Sequence, residues 1–297
     1  MGAVIRGRSN RQMRLLHLLH MVEIAFAKLH GAGNDFVLIE EFGHPDAINY
    51  AELAKSIGNR RTAVGFDQLM LVTKNSAATS GFGYLIFNSD GSRAQQCGNG
   101  ARAVAWWLMR QHGLRAPFEL ASPAGLVRVS QTANGQIGVS LGKPEFLPAK
   151  IPMRAGAPAL RYQSHVAGQA IEFSSLSLGN PHATILVPSV ANAEVERIGA
   201  ALQSHSDFPE RVNVGFCEVI SRNYAKLRVY ERGAGETLAC GSGACAAAIN
   251  LIRLGLVERS VTLALPGGEL SISWPSDGAE VVLSGPVVHV FDGRLTH

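Results

Sequence analysis

The 297 residues suffice for one large domain or two of ordinary size, and a hydrophobic content of 46% can fill globular cores. No run approaches the roughly 18 uninterrupted apolar residues that a transmembrane helix needs, which excludes a membrane-spanning protein. The net charge of +4 comes from arginines in the first 20 residues, and the rest of the chain has 23 basic and 23 acidic residues. This balance argues against a nucleic-acid-binding protein.

The first 20 residues, MGAVIRGRSNRQMRLLHLLH, are basic and then apolar. They do not match a secretory signal, because His17 and His20 interrupt the apolar part and no small-residue cleavage site follows. We expect a disordered basic extension over 1–20, with Met21 as the natural start.

The cysteine count indicates a reducing compartment. Four cysteines are too few for a disulfide framework in a chain of this length, and neither a C-x-x-C pair nor a zinc-binding histidine pattern occurs. The sequence therefore predicts a cytoplasmic protein without a metal site.

Short strands dominate the predicted elements in chain order. Val22, Ile24 and Phe26 alternate on one face, and later runs such as LMLVT, YLIF and VTLAL are separated by turn residues that favour hairpins. The sheet is therefore predicted to be mainly antiparallel. Two amphipathic helices, Ala51 to Ile57 and Asn192 to Gln203, are expected on the outside.

An internal repeat is the most informative property of the sequence. CGNGARAVAWWLMR, which begins at Cys97, aligns without gaps to CGSGACAAAINLIR, which begins at Cys240 and lies 143 residues later. Matching strand and turn residues follow at the same offset. The chain is therefore predicted to contain a duplicated domain.

Each repeated segment predicts a buried helix with a marked end. The helices are apolar or small on nearly every side, and they run to about His112 and Leu254, where Gly113 and Gly255 supply a left-handed stop. We predict an α+β fold of two pseudo-symmetric domains, each a central buried helix wrapped by mainly antiparallel strands. The predicted domains are 21–142 with the C-terminal strand 286–297, and 143–285, with the active site in the cleft between them.

The two repeated cysteines lie where a helix start favours an anion. Each precedes a Gly-x-Gly at the start of a buried helix, where backbone N–H groups lack intrahelical partners and the helix dipole is positive. A carboxylate held there would bring a thiolate to one face of a carbon atom and a thiol to the other, as proton exchange with inversion requires. We therefore predict that Cys97 and Cys240 are the two bases of an amino-acid epimerase.

Other interpretations of the cysteines fit less well. A lone cysteine is usually a small buried hydrophobe, which is our interpretation of Cys217 and Cys245, because neither has a counterpart in the other half. A Cys-His hydrolase would not explain a duplicated cysteine. The dipole lowers the pKa of a thiol by less than about one unit and burial opposes it, so we expect only partly ionised thiols.

Six segments together resemble the diaminopimelate epimerase family: KLHGAGNDF, GFDQ, FNSDGSRAQQCGNGAR, LGNPH, RVNVGF and YERGAGETLACGSGACA. They occur in family order from about Met21 to the C-terminus. The resemblance implies interconversion of LL- and meso-diaminopimelate in lysine and peptidoglycan-precursor biosynthesis, with no cofactor, and a homodimer. The departures are Arg93, where an acid often stands, and the basic extension.

The resemblance also implies a set of binding residues. The amides at Gly98, Asn99, Gly241 and Ser242 would hold the reacting carboxylate. Arg232 would capture the distal carboxylate and Glu231 would face an ammonium group. The remaining binding residues implied are Asn34, Gln68, Asn88, Asn180 and Asn213, and His182 would support the site.

Two other functions remain open on the sequence. One is a racemase of the same fold that acts on another amino acid, and the other is a non-catalytic amino-acid-binding module. The implied asparagines lie close to glycines, and such pairs also occur in ordinary turns.

Overall fold

A computed structural model describes residues 23–43, 48–132 and 134–296. The extension predicted over 1–20 and the strand residue Val22 lie outside these ranges. The described residues form four α-helices, two short 3-10 turns and 18 strands, which confirms the mixed α+β class. Within the same ranges, none of the helices combines the length and apolar character that a membrane crossing requires.

The helices are α1 (Tyr50–Ile57), α2 (Gly98–Gln111), α3 (Val195–Gln203) and α4 (Gly241–Arg253). The strands of the first repeat are β1 (Glu23–Gly31), β2 (Asn34–Glu40), β3 (Gln68–Lys74), β4 (Phe82–Asn88), β5 (Arg93–Ala94), β6 (Phe118–Ser122), β7 (Gly125–Gln131) and β8 (Ile137–Ser140). The later strands are β9 (Tyr162–Val166), β10 (Gln169–Ser177), β11 (Pro181–Leu186), β12 (Asn213–Ser221), β13 (Tyr224–Glu231), β14 (Gly235–Thr237), β15 (Ser260–Leu265), β16 (Gly268–Ser273), β17 (Val282–Gly285) and β18 (Val288–Thr296).

The same strand order occurs twice. In the first repeat β1, β2, β3, β4, β6, β7 and β8 are successive neighbours, and in the second β10, β11, β12, β13, β15, β16 and β17 are. Most pairs are antiparallel, as predicted. The parallel pairs β2/β3, β4/β6, β11/β12 and β13/β15 each enclose a helix in their connection, because a parallel pair needs a crossover longer than a hairpin turn.

The two repeats join through one strand pair and one returning strand. β8 pairs with β17, with Gly138 opposite Ser284. After β17 the chain returns to the first repeat, where β18 pairs with β1 and Ile24 lies opposite Leu295. One sheet therefore runs through both repeats.

The central helices are buried, as the all-round apolar pattern predicts. Val104, Ala105 and Leu108 of α2 and eight of the thirteen residues of α4 belong to a single hydrophobic core that extends across both repeats. The helices end at caps His112 and Leu254, followed by glycines with φ of 66° and 72°, which confirms both predicted ends.

The outer helices cover the opposite face of each sheet. α1 packs Leu53 and Ile57 against strands of the first repeat, and α3 packs Ile198 and Leu202 against strands of the second. The predicted start of α3 at Asn192 was three residues too early. The amide of Ala193 donates to the carbonyl of Val190 in a turn, so the helix begins only at Val195.

Candidate active site

Both repeated cysteines are the N-cap residues of the central helices. Cys97 and Cys240 have extended backbones, and their sulfur atoms accept hydrogen bonds from the amides of Gly100 at 3.3 Å and Gly243 at 3.4 Å. Sulfur occupies the position that the side-chain oxygen of serine or aspartate usually takes at a helix start. Each thiol therefore lies beside the unpaired amides of the first helical turn.

The two helix starts meet at one leucine. A Cβ atom added to Gly98 would lie 2.7 Å from Leu283 Cδ2, and one added to Gly241 would lie 2.8 Å from the same atom. A side chain at either position would therefore require the Leu283 side chain to move. The Asn99 side chain bridges toward the other helix, with its Oδ1 3.4 Å from the added Cβ of Gly241. Glycine therefore brings both sets of helix-start amides to one place.

The polar residues lie at one edge of each half of the sheet. Asn34 begins β2, Gln68 begins β3 and Asn88 ends β4. Because β2 and β3 are parallel and β4 is antiparallel to them, these ends meet at the edge where α2 starts. The second repeat places Asn213 at the start of β12 opposite Glu231 at the end of β13 in the same way.

A hydrogen-bonded network surrounds Cys97. The thiol donates to Asn34 Oδ1 at 3.7 Å, and the Asn99 amide donates to the same oxygen at 3.3 Å. The other end of the Asn34 amide donates to Asp67 Oδ2 at 2.8 Å. An amide with a carboxylate on one side and donors on the other has one favourable orientation. Asp67 therefore directs the carbonyl oxygen of Asn34 toward the thiol.

Cys240 has a different environment. Its sulfur lies 3.7 Å from the hydroxyl of Ser242. Glu231 accepts a hydrogen bond from Thr237 and faces the Cys240 thiol. Burial raises the pKa of the Glu231 carboxyl above its usual value, while its bond from Thr237 acts in the opposite direction. The Cys97 thiol therefore lies next to asparagine side chains, whereas the Cys240 thiol lies next to a carboxyl group.

Burial controls the ionisation of both thiols. It raises the pKa of Cys97 to about 11, and the charge of Glu231 adds to the rise while the Gly100 amide and Arg102 oppose it. Burial, together with Glu231, also raises the pKa of Cys240 well above its usual value. Both thiols are therefore mainly protonated at neutral pH. The expectation of partly ionised thiols underestimated burial, which outweighs the helix dipole.

Three further pairs complete the predicted set. Gln68 donates to Asn88 at 3.1 Å, His182 Nε2 lies 2.9 Å from Asn180 Oδ1, and Asn213 Oδ1 accepts from the Arg232 amide at 2.9 Å. Burial lowers the pKa of His182 to about 3, so its imidazole is neutral. The exposed Arg232 guanidinium donates to the carbonyl of Glu210 at 3.1 Å. Within the described ranges, no hydrogen bond joins these pairs directly to either thiol.

Sequence reasoning missed two polar residues of this network. Asp67 belongs to the GFDQ segment, whose position just before β3 was the available signal. Arg102 follows Asn99 by one helical turn and donates to its Oδ1 at 2.8 Å. The available signal was a charged residue at the end of the FNSDGSRAQQCGNGAR segment, in a helix predicted to be buried.

Solved structures share this fold over nearly the whole chain. A hydroxyproline epimerase from Agrobacterium vitis superimposes with a TM-score of 0.66 over 92% of each chain at 14% identity. A PhzF-family phenazine biosynthesis protein from Bacillus anthracis gives 0.64 over 92% of this chain and 99% of that chain at 13% identity. The fold thus defines a class of α+β proteins that includes both.

Sequence comparison narrows the class to one family. The diaminopimelate epimerase family model matches residues 26–147 and 174–290. A diaminopimelate epimerase of Xanthomonas campestris pv. campestris is 48% identical over 93% of this chain and 98% of its own length. One from Stutzerimonas stutzeri is 44% identical over 92% and 99%. The chain belongs to the diaminopimelate epimerase family.

Proposed function

We propose that the chain catalyses the interconversion of LL- and meso-diaminopimelate, as the names of its relatives and its own site suggest. The observation that carries the proposal is the pair of cysteine N-caps at two helix starts that pack on Leu283. Amides of both starts are available to one α-carboxylate, which would place the α-carbon between the thiols. This arrangement suits proton transfer on opposite faces.

The reaction needs one thiolate and one thiol. The thiolate of one cysteine removes the α-proton and becomes a thiol, and the electron pair stays on the substrate as a carbanion stabilised by its carboxylate. The thiol of the other cysteine then gives its proton to the opposite face and becomes the thiolate. Configuration is inverted, and the charge has moved from one sulfur to the other. The reverse reaction exchanges the roles of Cys97 and Cys240.

The amides at Gly98, Asn99, Gly241 and Ser242 bind the reacting carboxylate in this proposal, and their alignment at two positive helix ends lowers the energy of the developing negative charge. The second amino-acid group of the substrate is bound at the strand edge. The Arg232 side chain captures its carboxylate and Glu231 faces an ammonium group. The amide-bearing residues Asn34, Gln68, Asn88, Asn180 and Asn213 supply the remaining polar contacts, and neutral His182 supports Asn180.

We also infer two domains, 21–142 with 286–297 and 143–285, that close on the substrate and expel water. We place the hinge at the two chain connections near Gly142 and Gly285, at the ends of β8 and β17. The free thiols of the described chain suit the reducing cytoplasm. A homodimer is supported by β18, which exposes Val288, Val290 and Phe291 by 42%, 53% and 46%.

The reaction is tested with LL-diaminopimelate and the purified protein, with the meso product separated by chiral chromatography. We expect product at a rate proportional to enzyme concentration. The double variant Cys97→Ala, Cys240→Ala is the matched control and should form none. Absence of meso product from the wild-type protein would refute the epimerase reaction.

The hydroxyproline epimerase of the same fold motivates a second candidate, a racemase of another amino acid. Parallel incubation with proline and trans-4-hydroxyproline separates the two. We expect neither to be turned over, because a substrate with one carboxylate leaves Arg232 without its partner. Binding of diaminopimelate without inversion of any substrate would instead favour the amino-acid-binding module.

A further inference from the structure

Arg102 is a buried cation with few partners. Its side chain is 0% exposed, and its single hydrogen bond to the described residues runs from Nη2 to Asn99 Oδ1 at 2.8 Å. Nε and Nη1 have no partner among those residues, and no carboxylate there accepts from the guanidinium. Burying an unpaired charge costs stability. A purely structural role would not explain such a group.

The surrounding backbone is adapted to the guanidinium. A Cβ atom added to Gly31 would lie 3.2 Å from Nη2, and one added to Gly285 would lie 3.3 Å from Nη2 and 3.5 Å from Cζ. Gly31 ends β1 and Gly285 ends β17, where the chain leaves the second repeat for the first. Two bare backbone segments therefore enclose Arg102 directly beneath the start of α2.

The second repeat lacks this cation. At the repeat offset, Asn99 corresponds to Ser242 and Arg102 to Cys245. Asparagine and arginine thus occur together in one repeat, and two uncharged residues replace both in the other. This joint replacement suggests that Asn99 and Arg102 act as one unit.

The hydrogen bonds connect that unit to a thiol. Because arginine has only donors, it can bond only the oxygen of the Asn99 amide, which turns the amide nitrogen toward Asn34 Oδ1. The same oxygen accepts from Cys97. Burial lowers the pKa of Arg102 to about 10, so the group is positive at neutral pH.

Other titratable groups act on the same thiol. Glu231, at the end of β13, opposes ionisation of Cys97, whereas Arg102 favours it. Tyr84 on β4 is buried, and burial together with the Cys97 charge raises its pKa above its usual value. Cys245 on α4 also interacts with Arg102, but burial raises the pKa of its thiol and keeps it protonated. Among these four residues, Arg102 is the one that carries a positive charge.

We propose that Arg102 is a positioning residue of the site: it fixes the Asn99 amide, and its buried charge favours the thiolate of Cys97 and a carboxylate at the start of α2. The inference rests on the proposed function for its role in turnover. Its effect on the thiol is independent of any substrate. The consequence is a chemically unequal pair of cysteines, with the thiolate favoured at Cys97.

The test compares Arg102→Met with its parent in a Cys240→Ala background, where Cys97 is the accessible thiol because Cys217 and Cys245 are fully buried. Iodoacetamide alkylation of Cys97 is followed by mass spectrometry between pH 6 and 10. An opposite charge nearby shifts an acid by about one pKa unit or more, so we expect about tenfold slower alkylation at pH 7 in Arg102→Met. Arg110→Met, which removes an exposed arginine from the same helix, should leave the rate unchanged.

Two further measurements separate positioning from folding. Arg102→Lys keeps the charge and should restore most of the alkylation rate. Arg102→Met should unfold at the same urea concentration as its parent or a higher one, because methionine relieves an unpaired buried charge. Parent-like alkylation in folded Arg102→Met would overturn the proposal, and so would a failure of Arg102→Met to fold. Alkylation needs no turnover, so wild-type inactivity on diaminopimelate would refute the proposed function alone.

Discussion

The starts of α2 and α4 have the same backbone but different chemistry. Both have a cysteine N-cap followed by Gly-x-Gly, and both pack on Leu283. Behind the first lie Asn99 and the buried Arg102, whereas the second has Ser242 and faces Glu231. Duplication has kept the geometry that two-sided chemistry requires. The surrounding charges make the two thiols unequal.

The largest effect should follow removal of either repeated thiol. Cys97→Ala and Cys240→Ala should each lower epimerisation by about a thousandfold or more, because each removes one of the two proposed proton-transfer groups. Rates of meso formation are measured with circular dichroism as a check on the fold. The matched controls Cys217→Ala and Cys245→Ala should keep turnover within about threefold. Substantial activity in either active-site variant would contradict the two-base assignment.

Arg232→Met tests the binding of the distal carboxylate. Loss of a charge-assisted hydrogen bond worth about 1.5–3 kcal/mol should raise KM by about ten- to a hundredfold, with a smaller change in kcat. Arg222→Met is the control, since Arg222 lies at the opposite end of the β12–β13 hairpin in an ion pair with Glu258. An unchanged KM in Arg232→Met would remove this residue from the substrate site.

Asp67→Ala tests the orientation of Asn34, whose amide donates to Asp67. The second repeat has no carboxylate at the position of Asp67, because Cys217 stands there. A freed amide can turn its nitrogen toward the Cys97 thiol and lose the acceptor. We expect kcat/KM to fall about fivefold, in line with a hydrogen bond worth about 1 kcal/mol. Asp277→Ala, which removes an exposed carboxylate paired with Arg259 outside the site, is the control. If both variants behave alike, Asp67 has no specific role.

The pH profile should report the thiols. Because burial raises the pKa of Cys97 to about 11, its thiolate fraction increases with pH through the neutral range, about tenfold per unit. We expect kcat/KM to increase with pH between about 6 and 8, measured at constant ionic strength. A rate that stays flat or falls over this range would show that formation of the thiolate does not control turnover.

The sequence predicts local features and the repeat well. Helix ends at His112 and Leu254 follow from glycine stops, and both are confirmed. The equivalence of the two cysteines follows from a gapless repeat. The family pattern also identifies the residues that the structure collects at one sheet edge, although their roles stay proposals.

Long-range features could not be predicted from local patterns. The parallel pairs such as β2/β3 depend on which strand a crossover reaches, which hairpin signals do not encode. The burial of Arg102 depends on Gly31 and Gly285, which lie far from it along the chain. The pKa of the thiols depends on desolvation, which needs the packed structure rather than the helix start alone.

The most direct test of the two-base account is the isotope content of the first products formed in deuterated water. LL-diaminopimelate is incubated with the wild-type protein, and substrate and meso product are separated at low conversion. The deuterium content of each is then measured by mass spectrometry. The account predicts one deuterium in every product molecule, because the thiol that protonates the second face has exchanged with solvent. Product that retains the original proton at the inverted α-carbon would show that a single base serves both faces.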